Sequence, residues 1–274
     1  MGVSAAAARV FAGRDMDEGR EMAVGRGRAF VYTAGCPGRE GPNQDAAAVL
    51  PVNGSRGLLV VADGMGGRPG GADAAAAVLA ALEREVERLG DPDVSLRSVV
   101  LDGLEEANRR VIGIGGGAAT TVAVAELENG SLRSYHVGDS AILVVGQRGR
   151  IKLQTVAHSP VGYAVESGLI DEDTALEHAE RHLVSNMVGD PDMRIEVGSP
   201  LELAPRDTVL LATDGLFDNM HRDEIVEAIR TGSLEEAGRR LAATCLERMR
   251  EPAAGRPSKP DDLTFILYRQ TRGR

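Results

Sequence analysis

Cysteine, tryptophan and aromatic residues in general are scarce in this 274-residue chain, and each scarcity removes a class of answers. The only cysteines, Cys36 and Cys245, cannot build a disulfide framework, so a reducing cytoplasmic setting is expected. Tryptophan is missing and aromatics make up 3%, so the core must be aliphatic, and a hydrophobic content of 43% is normal for a chain that folds by itself. Apolar runs are all too short for a membrane span, and Met1 to Arg9 lacks the apolar centre of a signal peptide. Basic residues are outnumbered, 31 against 41 acidic, and the net charge of -10 argues against nucleic acid or an anionic membrane surface as a partner.

Several chemical signatures are absent as well. Neither cysteine opens a CxxxxxR phosphate loop, and GxSxG and GxxxxGK[ST] do not occur. A Cys pair at zinc spacing is also lacking. Gly113 to Gly117 lies between a helix and a strand, the reverse of a phosphate-binding loop, and reads as a flexible break.

What is present is a repeated way of ending a strand. Leu58 to Gly67, LLVVADGMGG, is an apolar run that delivers Asp63 to a surface, with Gly64 next to it offering a main-chain carbonyl to the same ligand. Val209 to Gly215, VLLATDG, does the same with Asp214, and Asp218 follows. Asp45 closes GPNQD ahead of AAAVL, and Asp261 with Asp262 closes KPDD ahead of LTFILY. One such Asp-Gly is an ordinary turn. Four carboxylate stations that converge would repel one another and be costly to desolvate without cations, and an all-oxygen set suits magnesium or manganese better than zinc.

These segments carry a resemblance. NQD, VVADGMGG, GAATT with HVGDS, LLATDGLFDN and PDDLT occur in the order seen in the metal-dependent Ser/Thr protein phosphatases of type 2C, over roughly Arg26 to Arg269. The resemblance implies an α+β fold, a four-layer α-β-β-α sandwich with two central antiparallel sheets and a site at one edge of them. It implies two Mn2+ or Mg2+ ions, with Asp63 bridging, the Gly64 carbonyl on one ion, Asp214 and Asp261 on the other, and Asp45 in or beside the ligand shell. Asp139 and Asp218 match positions that hold a third metal in some members, although structural acids at element ends would look the same. The implied reaction is hydrolysis of phosphoserine and phosphothreonine on proteins by a water that the two cations activate. A kinase would supply the substrates, and a monomer is expected. A phosphoprotein-binding module that keeps the fold with little turnover is the alternative, against which the intact Asp63, Asp214 and Asp261 set stands.

The chain departs from the pattern at three places. Where many members have an arginine five residues before the first Asp, this chain has Glu40, with Arg39 one residue earlier. Met65 replaces the eukaryotic-type histidine after Asp-Gly, with Arg68 downstream, and Asp262 stands where asparagine is common. Arg39 and Arg68 are both candidates to grip phosphate. Thr120 and Thr121 read as strand residues that support the site, and His136 as a core or edge histidine rather than a general acid.

Periodicity places helices over Ala72 to Leu89 and from the N-cap Ser95 to about Ile112, with Asn129-Gly130 as a hairpin between strands. Ala141 to Val145 and Arg150 to Thr155 are expected to extend that meander. Residues 1 to 22 are expected to be a frayed lead and 23–270 a single catalytic domain, with a flap-like excursion at about 157–193 holding short helices over Tyr163 to Ser167 and Asp171 to Arg181.

Overall fold

The computed structural model describes residues 8–65, 70–89 and 94–271. Within them the expected frayed lead is corrected. Two short strands, β1 (Arg9–Ala12) and β2 (Arg20–Val24), add to the sheet edges, β1 along β4 (Asp45–Pro51) and β2 along β3 (Gly27–Ala34), both antiparallel. Phe11 and Val24 are buried between the sheets, and their burial together with ladder pairing outweighs the ordering entropy of strands too short to show a period.

Strand β5 (Arg56–Asp63) pairs with β4 in a register that sets Asp45 opposite Asp63. Helix α1 (Gly71–Glu87) packs on α2 (Leu96–Ile114), whose N-cap is Ser95 as the sequence indicates, its hydroxyl accepting from the Arg97 N–H. The hairpin of β6 (Val122–Glu128) and β7 (Ser131–Val137) turns at Asn129 (φ 53°) and Gly130 (φ 98°), two positive values that suit this dipeptide.

The meander does not continue. After Gly138 (φ 99°) the chain crosses to the other sheet, where β8 (Ala141–Val145) pairs with β12 (Thr208–Ala212) and β9 (Ile151–Gln154) pairs with β8. Ile142 and Val144 thereby face the inter-sheet core while Leu143 and Val145 face the helices. The alternation is the same in either sheet, which is why the sequence alone suggests the nearer partner.

Two short helices, α3 (Pro160–Glu166) and α4 (Glu172–Glu177), occupy the excursion, and α4 is shorter than the helical reading of Asp171 to Arg181. Two-residue strands β10 (Glu196–Val197) and β11 (Leu201–Glu202) return to β7. Helices α5 (Asp214–Phe217), α6 (Arg222–Ile229) and α7 (Leu234–Arg250) precede the last strand, β13 (Leu263–Gln270).

The first sheet runs β1-β4-β5-β6-β7 with β10 and β11 on β7, and the second runs β2-β3-β13-β12-β8-β9. Alternation along β4 explains the layering. Ala46, Ala48 and Leu50 meet α1 and α2, while Ala47 and Val49 meet the second sheet. The second sheet's other face, including Phe30, Leu210 and Phe265, is covered by α5, α6 and α7. The result is the expected α-β-β-α sandwich, and the ends of β4, β5, β12 and β13 bring their acids to one edge.

Candidate functional site

Asp45 and Asp63 are the last antiparallel pair of β4 and β5, so strand register itself holds these two carboxylates side by side. Asp45 is buried, its Oδ2 accepts from the Thr213 hydroxyl at 2.8 Å, and its own N–H donates to Asn43 Oδ1 at 2.9 Å. The Asp63 carbonyl accepts from the Thr121 N–H at 2.9 Å and the Thr120 hydroxyl at 2.7 Å, which makes both threonines supports of the strand end, as expected. Gly64 N–H donates to the Gln44 carbonyl at 3.1 Å, and a Cβ here would lie 2.4 Å from the Gly71 carbonyl carbon and oxygen. Close backbone approach, rather than a positive φ, is what asks for glycine at this position.

Asp214 opens α5 at the end of β12. Gly215 presses this turn against the lead into β13, where a Cβ would meet the Asp262 carbonyl oxygen at 1.8 Å, and so Asp214 comes beside Asp261. Between them stands Lys259, whose ammonium pairs with Asp214, with Asp218 Oδ2 at 2.9 Å and with Asp261 Oδ2 at 3.3 Å. Asp139 lies in the turn between β7 and β8 and interacts electrostatically with Asp214 and Asp218.

Asp262 is buried and turned to a different task. It accepts from the Cys36 N–H at 2.8 Å and the Gln44 N–H at 2.9 Å and pairs with Arg39, whose other terminal nitrogen is 3.8 Å from Asp261 Oδ1. Arg39 therefore sits at the rim of the acids. Arg68 lies outside the described residues, so its place as the other candidate phosphate grip is not described.

Burial and mutual repulsion dominate the electrostatics. Asp45 and Asp63 are pushed well above the ordinary carboxylate range, first by desolvation and then by neighbouring acids, although the Asp63 residue keeps some accessible surface. Asp139 is raised to about 7 and Asp261 to about 6 by burial and by Asp214, and Asp218 is raised by the same two causes. Asp214 Oδ1 is a buried oxygen with no hydrogen-bond partner among the described residues. An unpaired carboxylate oxygen amid a surplus of buried negative charge is the arrangement a divalent cation relieves, so the donor set fits one.

The linear sequence did not reveal three features. Lys259 stands in the quoted KPDD segment, but nothing in that tetrapeptide says where its ammonium goes. Thr213 looks like any strand residue. His136 and His158, 22 positions apart, stack with ring centroids 4.3 Å apart, and with Glu196 they place ligand atoms within 4.8 Å of one another. Their proton arrangement disfavours a metal. His158 Nδ1 receives both the Gly138 N–H at 3.1 Å and the Asn186 amide at 2.8 Å, so Nε2 keeps the proton and donates it to Glu196 at 3.1 Å. His136 Nε2 faces the Val156 carbonyl at 2.9 Å. The pair fastens the turn at Gly138 to both ends of the excursion, and His136 is the core histidine the sequence suggests.

A cavity of about 320 Å³ with a mixed lining adjoins the acids, with Leu143, Val161, Val165, Leu176 and Phe217 in its wall alongside Glu172, Arg181 and Arg222 and the acids Asp139, Asp214 and Asp218.

A face-to-face sandwich of this topology is the architecture of the PPM protein phosphatases. The chain aligns with the PPM Ser-Thr phosphatase MsPP of Mycobacterium smegmatis, solved in complex with cacodylate, at a TM-score of 0.72 and 27% identity, covering 88% of this chain and 97% of that one. It aligns with the catalytic domain of the serine/threonine phosphatase PstP, solved with two manganese ions, at 0.70 and 24% identity, covering 89% and 98%. A candidate protein phosphatase 2C-type protein of Streptococcus pyogenes serotype M6 is 30% identical over 196 residues, 67% of this chain and 77% of that protein. The protein phosphatase 2C family model matches residues 35–250, and the chain belongs to that family. It is a protein-serine/threonine phosphatase, and phosphoproteins are its substrates. Asp45, Asp63, Asp139, Asp214 and Asp218 fall within the family match, and Asp261 follows it.

Proposed function

We propose that the chain hydrolyses phosphoserine and phosphothreonine at the acid cluster, where Asp63, the Gly64 carbonyl, Asp214 and Asp261 would hold two Mn2+ or Mg2+ ions, with Asp45 beside them. Bound there, divalent cations would neutralise the phosphate oxygens and lower the pKa of an attacking water. The remaining work belongs to the chain. Strand register sets Asp45 opposite Asp63, and the Thr213 hydroxyl holds the Asp45 carboxylate in its orientation. Arg39, reaching over Asp261 from its pairing with Asp262, receives a phosphate oxygen on its guanidinium. Asp139 and Asp218 are candidates for a third cation. A cytoplasmic monomer that opposes a Ser/Thr kinase completes the reading. Among the described residues no helix is long and apolar enough to cross a membrane.

The observation that carries this reading is the convergence of four acids from β4, β5, α5 and the lead into β13 around a buried, unpaired Asp214 oxygen. Its test is hydrolysis of p-nitrophenyl phosphate and of a phosphothreonine peptide with added manganese. Asp63→Asn and Asp214→Asn should each abolish metal-dependent turnover while far-ultraviolet circular dichroism stays that of the parent. An Asp63→Asn protein that turns over like the parent in saturating manganese would overturn the site. Metal binding without turnover in the parent chain would favour the phosphoprotein-binding alternative.

A further inference from the structure

Lys259 is one of only two lysines in the chain, and its place is built rather than incidental. Asn219, fully buried, accepts from the Lys259 N–H at 2.9 Å and donates to the Lys259 carbonyl at 2.8 Å and to the Gly215 carbonyl at 2.9 Å. Arg248, paired with Glu224, donates in turn to the Asn219 carbonyl at 2.9 Å. This network ties the main chain of Lys259 to α5, the helix that presents Asp214. Its ammonium can leave the three acids only by swinging its own stem. A fixed +1 charge among Asp214, Asp218 and Asp261 is the charge that a divalent cation on that side would have to displace.

We propose that Lys259 is a tethered counter-ion. It stabilises the acid cluster without metal and competes with divalent cations on the Asp214, Asp218 and Asp261 side, so that this side binds them more weakly than the Asp45 and Asp63 side. The proposal rests on the reading that these acids hold divalent cations. In chemical terms the lysine tunes metal affinity. It neither touches the reacting atoms by necessity nor supplies a proton.

Calorimetric titration of metal-free protein with manganese tests it in the parent and in Lys259→Met, which keeps the stem and removes the charge. The variant should bind the weaker ion about tenfold more tightly or better, as loss of a competing charge within ~3 Å of the ligands requires, and should melt lower than the parent in EDTA. The second measurement uses the parent alone. Acetylation followed by mass spectrometry should find Lys259 slow in EDTA and faster with saturating manganese, with Lys152, paired 2.5 Å from Asp207, as the internal reference. This decides the matter even if Lys259→Met is unstable without metal. Manganese affinity unchanged within about twofold, together with a Lys259 to Lys152 acetylation ratio that manganese does not move, overturns the proposal while leaving the metal site standing. If neither protein binds manganese, the metal reading falls and the proposal with it.

Discussion

Asp262 carries a charge where asparagine is common in the family, and the charge has an assignable use. Its two oxygens receive main-chain N–H groups of Cys36 and Gln44, closing the loop that leads to Asp45, and it still pairs with Arg39. An asparagine could not accept on both sides and hold a guanidinium as an ion pair. The displaced arginine and the substituted asparagine thus meet in space, one compensating the other. Arg39→Ala should raise KM for a phosphothreonine peptide about tenfold or more with a smaller change in kcat, the signature of lost substrate binding rather than lost chemistry. Steady-state kinetics check this, and KM unchanged in Arg39→Ala but raised in Arg68→Ala would move the phosphate grip to Arg68.

At the scale of elements, the site depends on how closely α5 approaches β13. The first turn of α5 has room for no side chain at Gly215, because the Asp262 carbonyl oxygen occupies that space. The contact is with main chain, which cannot rotate aside as a flexible side chain would. Gly215→Ala should therefore cost about 1–3 kcal/mol or more by overpacking and should separate Asp214 from Asp261. Two readouts are expected to move together in thermal melts, a lower Tm in EDTA and a smaller rise on adding manganese. An alanine variant with both unchanged would mean that α5 does not set the spacing of the acids. The histidine pair does a comparable job at the other side of the site, tying Gly138 to the excursion through His158.

For the molecule as a whole, pH acts on stability through two buried sets of opposite sign. His136 is held below its ordinary value of 6.5, mainly by burial and further by His158, while the Val156 carbonyl and Glu196 act against this. Its folded pKa is depressed, so as pH falls below 6.5 the unfolded chain takes up a proton that the folded state refuses, and stability is lost through the folded pKa. The metal-free acids act the other way. Asp139 at about 7 and Asp261 at about 6 bind protons in the folded state before the unfolded carboxyls do at 3.8, which adds stability as pH falls. The His136 contribution therefore has to be read as a difference. Urea unfolding of the parent and of His136→Gln in EDTA, at about pH 7.5 and pH 5.5, should show the parent's advantage narrowing at the lower pH. An advantage of equal size at both would mean that His136 takes up its proton in the folded protein as readily as in the unfolded chain.

Some of this was decided by local sequence. Asn129-Gly130 needs two positive φ values and so specifies its hairpin, Ser95 caps the helix it precedes, and apolar runs ending in Asp63 and Asp214 must deliver those carboxylates to a strand end. The order of the acidic segments makes the family legible in the sequence itself. Partner choice was not legible. A period of two says which side chains share a face, but β8 has the same period whether it stays beside β7 or crosses to β12. The edge strands Arg9–Ala12 and Arg20–Val24 are too short to announce themselves without a sheet to join. Asp45 opposite Asp63, Arg39 against Asp262, His136 over His158 and Lys259 among three acids are all consequences of packing. Each depends on distances between segments far apart in the chain, and those distances are set by burying three aliphatic layers at once rather than by any residue's own preference.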